Sequence, residues 1–482
     1  MDKKNISLMM DYYELTMSMG YFQSGEKDKM VYFDMFFRKN PDDGGYAIAA
    51  GLEQLIEYIE SISFSEDDIE YLKEIGIHNE EFLEYLKNFK FTGDIWAVPE
   101  GTPVFPNEPI VTVRAPIIQA QLIETALLLN INHQTLIATK ANRLVRASKG
   151  KPIIEFGARR AQGVDGAYFG ARASFIGGCV GTSNVMSGRD FDIPVFGTMA
   201  HSWIQMFDDE YEAFKIYAET YPESTSLLVD TYNTLKSGVP NAIRVFNEIN
   251  LPRGYRPLSI RLDSGDLAYL SKEARKMLDA AGFEDVKIIA SNSIDEFTLK
   301  DLKYQGAEID IFGIGEKLIT SSSDAVLGGV YKLVAVEEGD EIIPKIKVSE
   351  NIEKITTPGY KKIYRLYDKK TGKAMADVLT LNDETIDDSK PYELFDPLAT
   401  WKRTIIRDFE AVSMQKPVFI SGKKVYEKKD IKEIQKYSTY ETDRLWDEVK
   451  RINKPHKYYV DLSYKLWKKK EELLEIYAQR GR

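Results

Sequence analysis

The chain has 482 residues, 43% of them hydrophobic and 29% charged, with a formal net charge of −11. That length holds two or three domains around a sizeable core, and the hydrophobic share excludes a disordered chain. The acidic balance argues against a general nucleic-acid or acidic-membrane binder, so any anionic ligand must meet a local basic site. The single cysteine, Cys179, excludes an intramolecular disulfide and a cysteine zinc site; it reads as a small buried residue in a reducing cytosol. The N-terminal MDKKNISLMMDYYELTM has acidic and polar residues where a signal peptide needs an apolar core. No stretch approaches the roughly 20 apolar residues of a membrane helix. A soluble cytoplasmic protein is expected, with neither nucleic acid nor membrane as partner.

Residues 1–145 read as an N-terminal α+β domain. DYYELTMSMGYFQ has helical spacing, and KMVYFDMFFRK alternates as a strand does before turn chemistry at Asn40 to Gly45. Leu52 to Phe89 reads as acidic amphipathic helices without chemistry. FTGDIWAVPEGTPVFPNEPIVTVRAP, broken by Pro and Gly, suggests a small β subdomain. From Ile117 to Ser148 a long helix is expected, with Lys140, Arg143 and Arg146 suiting the negative end of its dipole and His133 structural or interfacial.

Residues 146–336 alternate β and α runs. The strand candidates are PIIEFG, GGCVGTS, PVFGT, SLLVDT, LSIRLD, VKIIASN, IDIFGIG and GVYKLVAV, several separated by helical patterns. This order predicts βα units and a parallel sheet: an irregular (β/α) barrel, with a doubly wound open sheet as the alternative. Residues 337–482 are expected to pack on the N-terminal domain. KKIYRLYDKKTGKAMADVLTL there reads as a hairpin that completes its β subdomain, and the Lys-rich C-terminal segments read as solvated amphipathic helix rather than an RNA-binding surface.

What ends each strand candidate is informative. The ends carry Glu155 with Arg159 and Arg160, Thr182 to Asn184, His201, Asp230, Asp263 with Asp266, Asn292, and Gly313 with Gly315. If the strands are parallel, these groups share one face, where such folds place chemistry. Each alone has a bland explanation: His201, in PVFGTMAHSWIQ, as a half-buried histidine near a helix start, and Asp266 as the cap of the helix beginning at Leu267. The glycine-rich run from Gly313 through Ser321–Ser323 to Gly328 and Gly329 takes the place of the last two barrel strands, where backbone N–H groups often hold phosphate; it is not a Walker loop. Asp263 and Asp266 suit ribose hydroxyls or Mg²⁺ with its waters, and Arg159 and Arg160 suit a carboxylate or phosphate. Periodicity does not decide which arginine faces inward. The set describes a site for transfer at a sugar C1, with a histidine as base, acid or nucleophile.

DYYELTM, EFGARRAQGVDGA, GTSN, GTMAHSW, RLDSGDL, ASN, GIG, LGGVYKL and YRLYDKKTGKAMAD together resemble the nicotinate phosphoribosyltransferases, members of the type II phosphoribosyltransferase family. The resemblance implies an irregular, incomplete (β/α) barrel joined to a smaller α+β domain built from both chain ends, in a homodimer with composite active sites. It implies condensation of nicotinate with phosphoribosyl pyrophosphate to nicotinate mononucleotide and pyrophosphate, coupled to ATP hydrolysis, in NAD biosynthesis. His201 matches the family's phosphorylated histidine. Tyr13 would border the pyridine, Arg159 and Arg160 would serve anionic groups, and Asp263 with Gly313 and Gly315 would face the phosphoribosyl moiety, Asp263 also as a Mg²⁺ ligand. Thr182, Ser183, Ser202, Asp266, Asn292, Gly328 and Gly329 join them as substrate-binding positions. The related nicotinamide enzymes, the alternative, carry Asp where this chain has Ser183; an Asp would repel a carboxylate, so Ser183 favours the acid. Glu316 departs from the GIGT of many relatives and is expected to point away from phosphate or to bind metal. A non-catalytic nucleotide sensor would be favoured by loss of these groups, and none is missing. An aldolase would need a lysine at a strand end, and none stands there.

Overall fold

The computed structural model describes residues 5–480, so the first four residues of the segment read against a signal peptide lie outside it. The chain divides into two compact units, Met1–Leu136 with Val326–Arg482, and Ile137–Ala325. No helix among the described residues is long and apolar enough to cross a membrane.

The first unit is built on a seven-stranded antiparallel sheet in the order Glu341–Pro344, Val330–Glu338, Met30–Phe36, Val111–Pro116, Asp94–Ala97, Lys416–Ile420, Lys423–Lys424. Strand Met30–Phe36 lies inside the sheet, between Val330–Glu338 and Val111–Pro116, and is buried from Val31 onward. GVYKLVAV does not extend the parallel sheet: Val330–Glu338 pairs antiparallel with Met30–Phe36. It is nine residues long, against two to five for the parallel strands, and its core contacts include the stack of Tyr331 on Phe33. The hairpin Lys361–Asp368 and Ala374–Leu381 forms as expected, yet it builds a separate four-stranded sheet with Phe409–Ser413 and Val460–Leu462. A buried charge anchors it. Arg365, 1% exposed, donates to Asp377 through Nε (2.8 Å) and Nη2 (2.6 Å) and to the Pro103 carbonyl (2.8 Å), while the Tyr458 hydroxyl donates to Asp377 (2.9 Å). The acidic helices expected over Leu52 to Phe89 are Leu52–Ser61, Glu66–Glu74 and Glu80–Lys87, the latter two capped by Ser65 and Asn79.

The second unit holds a six-stranded parallel sheet in the order Gly181–Thr182, Ile153–Glu155, Ile311–Ile314, Lys287–Ser291, Ser259–Leu262, Ser226–Leu228. Its apolar side chains form the core of this unit: Ile153, Leu227, Ile260, Leu262, Ile288 and Ala290 are all buried. PVFGT contributes only one parallel bridge, Val195 to Thr182. Asn184, Asp266 and Asp295 cap the helices Val185–Phe191, Leu267–Ala280 and Glu296–Tyr304, each accepting from backbone N–H groups of the first turn. The expected long helix is broken into Ile117–Gln121 and Glu124–Ala147. Its late cations do more than face a helix dipole. Lys140 Nζ donates to Glu296 (2.9 Å) and to Ser323 (2.9 Å), and Arg143 Nε donates to Glu296 (3.2 Å), all three charges buried.

Glu14, in the helix Tyr12–Gln23, accepts from the backbone N–H groups of Asp11 (3.3 Å) and Thr125 (3.1 Å) and from the Thr125 hydroxyl, but its second oxygen is buried without a partner. Burial raises its pKa to about 7. The folded state therefore binds this proton more tightly than the unfolded chain. The stability it contributes is complete below the ordinary carboxylate range and is lost as pH rises through 7. Glu14→Gln should raise the melting temperature at pH 8 more than at pH 5; equal shifts at both pH values in thermal melts would contradict this.

Candidate active site

The carboxyl ends of the parallel strands converge around Arg261. This residue stands in Ser259–Leu262, and its guanidinium is fixed at three points: Nε donates to Ser291 Oγ (2.9 Å), Nη2 to Asp263 Oδ1 (2.9 Å) and Nη1 to Thr198 Oγ1 (3.4 Å). Ser291 Oγ also donates to Asp263 Oδ1. Beneath lies the ring of Phe156, its centroid 5.4 Å from the guanidinium carbon. Sequence reasoning passed over both residues, although each lies inside a motif it singled out, EFGARR and RLDSGDL. The signal was there for Arg261: in a parallel strand a cation two residues before a strand-end carboxylate lies on the same face.

A cavity of about 220 Å³ opens here, lined by Phe156, Ala158, Arg159, Ser183, Gly197, Thr198 and Arg261. The question left by periodicity is answered by the short 3₁₀ turn Ala158–Arg160. Arg159 enters the cavity wall and makes no ion pair or hydrogen bond among the described residues, whereas Arg160 lies 3.9 Å from Glu316. Glu316 thus faces a guanidinium, with its side chain 55% exposed.

His201 begins the short helix His201–Gln205. Its Nδ1 lies 3.0 Å from the Thr231 hydroxyl, and its Nε2 lies 3.8 Å from Asp263 Oδ2. The side chain is 37% exposed, enough to be reached. Asp230 supports this corner: Oδ2 accepts from the Asp263 N–H (2.9 Å) and the Ser264 hydroxyl (2.5 Å), while Oδ1 is buried without a partner.

The other expected residues divide. Ser183 lines the cavity; Ser202 is exposed in the first turn of the helix His201–Gln205, and Asn292 is exposed just past the strand Lys287–Ser291, with φ 105°. Asp266 caps its helix, accepting from Tyr269 N–H (3.0 Å). The Thr182 side chain is fully buried and donates to Glu155 (2.6 Å), so it does not line the cavity. Gly313 has a packing reason: an added Cβ would lie 2.4 Å from the Phe156 ring. At Gly315 a Cβ would meet the Phe156 carbonyl at 3.0 Å. Tyr13, Gly328 and Gly329 belong to the first unit. Tyr13 there borders a cavity of about 350 Å³ with Glu124 and Lys332, and burial with the nearby Glu124 charge pushes its hydroxyl pKa up.

No three His, Cys, Asp or Glu residues converge as a metal cage among the described residues. Mg²⁺ does not need one, because it keeps waters and takes one or two carboxylates beside phosphate oxygens. The partnerless Asp230 Oδ1 and Asp263 Oδ2, the latter 3.8 Å from His201 Nε2, fit that requirement.

Gly313→Ala should force Phe156 off its seat and cost about 1–3 kcal/mol by overpacking; an unchanged denaturation midpoint would show that the ring has room to yield.

Three family models match the chain: the nicotinate phosphoribosyltransferase N-terminal domain over residues 8–132, the nicotinate phosphoribosyltransferase family over 152–386, and the C-terminal domain over 360–470. A nicotinate phosphoribosyltransferase of Bacillus subtilis is 48% identical over 99% of this chain and 96% of its own length. The protein of that name from Homo sapiens is 31% identical over 95% of both chains. The crystal structure of human nicotinic acid phosphoribosyltransferase superposes with a TM-score of 0.86 at 29% identity, over 96% of this chain and 99% of that one. A nicotinate-nucleotide pyrophosphorylase from Pyrococcus furiosus, 23% identical, shares the fold with a TM-score of 0.68 over 91% of this chain and 95% of its own. The converging site therefore sits in an enzyme chain that belongs to the nicotinate phosphoribosyltransferase family.

Proposed function

We propose that the chain transfers phosphoribosyl from phosphoribosyl pyrophosphate to nicotinate, giving nicotinate mononucleotide and pyrophosphate for NAD salvage, with ATP hydrolysis coupled through a phosphorylated His201. The observation that carries this reading is the cavity itself: an aromatic floor, Phe156, beside one unpaired guanidinium, Arg159, and one half-neutralised by Asp263, Arg261. An apolar ring bearing a carboxylate matches that lining, with charge-assisted hydrogen bonds fixing its orientation. Ser183, which also lines the cavity, adds no charge against the anion. A neutral amide would leave Arg159 without its counter-charge, which disfavours the nicotinamide alternative.

In this reading the pyridine nitrogen attacks C1 of the ribose as the bond from C1 to the pyrophosphate oxygen breaks. The leaving pyrophosphate carries the negative charge that develops in this step, and cations meet it. Held by Asp263 and Asp230, Mg²⁺ would supply charge neutralisation to the pyrophosphate. Thr231 holds His201 so that Nε2 turns toward Asp263. A phosphoryl group accepted from ATP by the imidazole and then lost to water would draw the equilibrium toward product. The reading includes a cytoplasmic homodimer with composite active sites, in which a second copy completes each site. It also takes the parallel sheet as an incomplete barrel. Starting from Ser226–Leu228, the strands follow chain order round the sheet and return through Ile153–Glu155 to Gly181–Thr182, with the Val195 bridge beyond it.

Initial rates with the two bases test the substrate. Nicotinate should exceed nicotinamide in kcat/KM by roughly 10- to 100-fold or more, the worth of a charge-assisted contact; preference for the amide would refute the assignment. His201→Ala should lose both ATPase activity and incorporation of label from γ-phosphate-labelled ATP, and persistent labelling would remove the histidine from that role.

A further inference from the structure

Glu155 ends its strand fully buried, and among the described residues it makes no ion pair. Its Oε2 accepts from the Thr182 hydroxyl (2.6 Å) and its Oε1 from the Gly157 N–H. Burial raises its pKa against those two bonds. A carboxylate taken out of water without a cation is costly, so what it holds together matters. The Thr182 hydroxyl, while donating to Glu155, accepts from the Asn184 N–H (3.0 Å), and the Ser183 N–H donates to the Glu155 carbonyl (2.9 Å). One buried carboxylate thus ties the turn that carries Phe156, Ala158 and Arg159 to the strand end that carries Ser183. Neither Glu155 nor Thr182 lines the cavity between them. Gly157 lets the turn come this close: a Cβ there would stand 2.5 Å from Ile319 and 2.8 Å from Glu155 Oε1.

We infer that Glu155 and Thr182 are positioning residues, which set the spacing of Arg159 and Phe156 from Ser183 and thereby the affinity for the pyridine carboxylate. The inference rests on the reading of this cavity as the nicotinate subsite. Recognition of this kind is sensitive, since losing a charge-assisted hydrogen bond costs about 10- to 100-fold in affinity. A general loss of structure would depress every kinetic parameter, whereas a shifted wall acts on one substrate.

Steady-state kinetics on Thr182→Val and Thr182→Ser separate the two. Valine matches threonine in shape but removes the hydroxyl; serine restores it. Thr182→Val should raise KM for nicotinate roughly 10-fold while kcat and KM for phosphoribosyl pyrophosphate change little, and Thr182→Ser should return the nicotinate KM to near its original value. An unchanged nicotinate KM in the valine variant, equal losses in both variants, or equal rises for both substrates would overturn the inference. Thr182→Cys, similar in volume with a weak donor, is read by the same criteria should the valine variant not fold. Arg159→Ala measured alongside isolates the underlying reading. A normal nicotinate KM there refutes the cavity assignment; a raised one beside an unchanged Thr182→Val refutes the positioning role alone.

Discussion

The site depends on one guanidinium held still. Arg261 would be a mobile cation were it not bonded to Asp263, Ser291 and Thr198 and laid over Phe156. Three strands supply this arrangement, because the parallel sheet brings the ends of Ile153–Glu155, Ser259–Leu262 and Lys287–Ser291 to one edge. Asp263 neutralises part of the charge, so a bound anion meets a preorganised donor rather than a bare ion. Its other oxygen faces His201, which joins the base-recognising corner to the histidine corner through a single carboxylate.

Around that group the strands are short and closely packed, and small residues stand where larger ones would collide. Gly313 leaves room for the Phe156 ring and Gly157 for the buried carboxylate that ties two walls together. The polar residues at the strand ends thereby fall into two kinds. Arg159, Ser183 and Arg261 border the cavity, while Thr182, Glu155 and Asp266 are spent on holding the frame.

The parallel sheet was legible from the alternation of strand-like runs with amphipathic helices, but of the residues that line the cavity only Arg159 and Ser183 were singled out at the strand ends. The misreadings have physical causes. GVYKLVAV looks like one more strand of the series because periodicity carries no information about partner or direction; only long-range pairing with Met30–Phe36 tells. Lys140 and Arg143 looked like dipole partners because their counter-charge, Glu296, lies some 150 residues away in sequence. Gly313 of the GIG run, read as part of a phosphate cradle, also accommodates the Phe156 ring from just past the strand Ile153–Glu155, a contact that local sequence does not announce. Thr182 looked substrate-facing because a strand end of two residues gives no period from which to read its direction.

The central claim is that the cavity between Phe156 and Ser183 takes a pyridine carboxylate through Arg159 and Arg261. A crystal structure of the protein soaked with nicotinate tests it most directly. Density for the ring against Phe156, with its carboxylate within hydrogen-bonding distance of Arg159 or Arg261, is the expected result; nicotinate bound elsewhere, or turned with its carboxylate away from both arginines, would contradict the account.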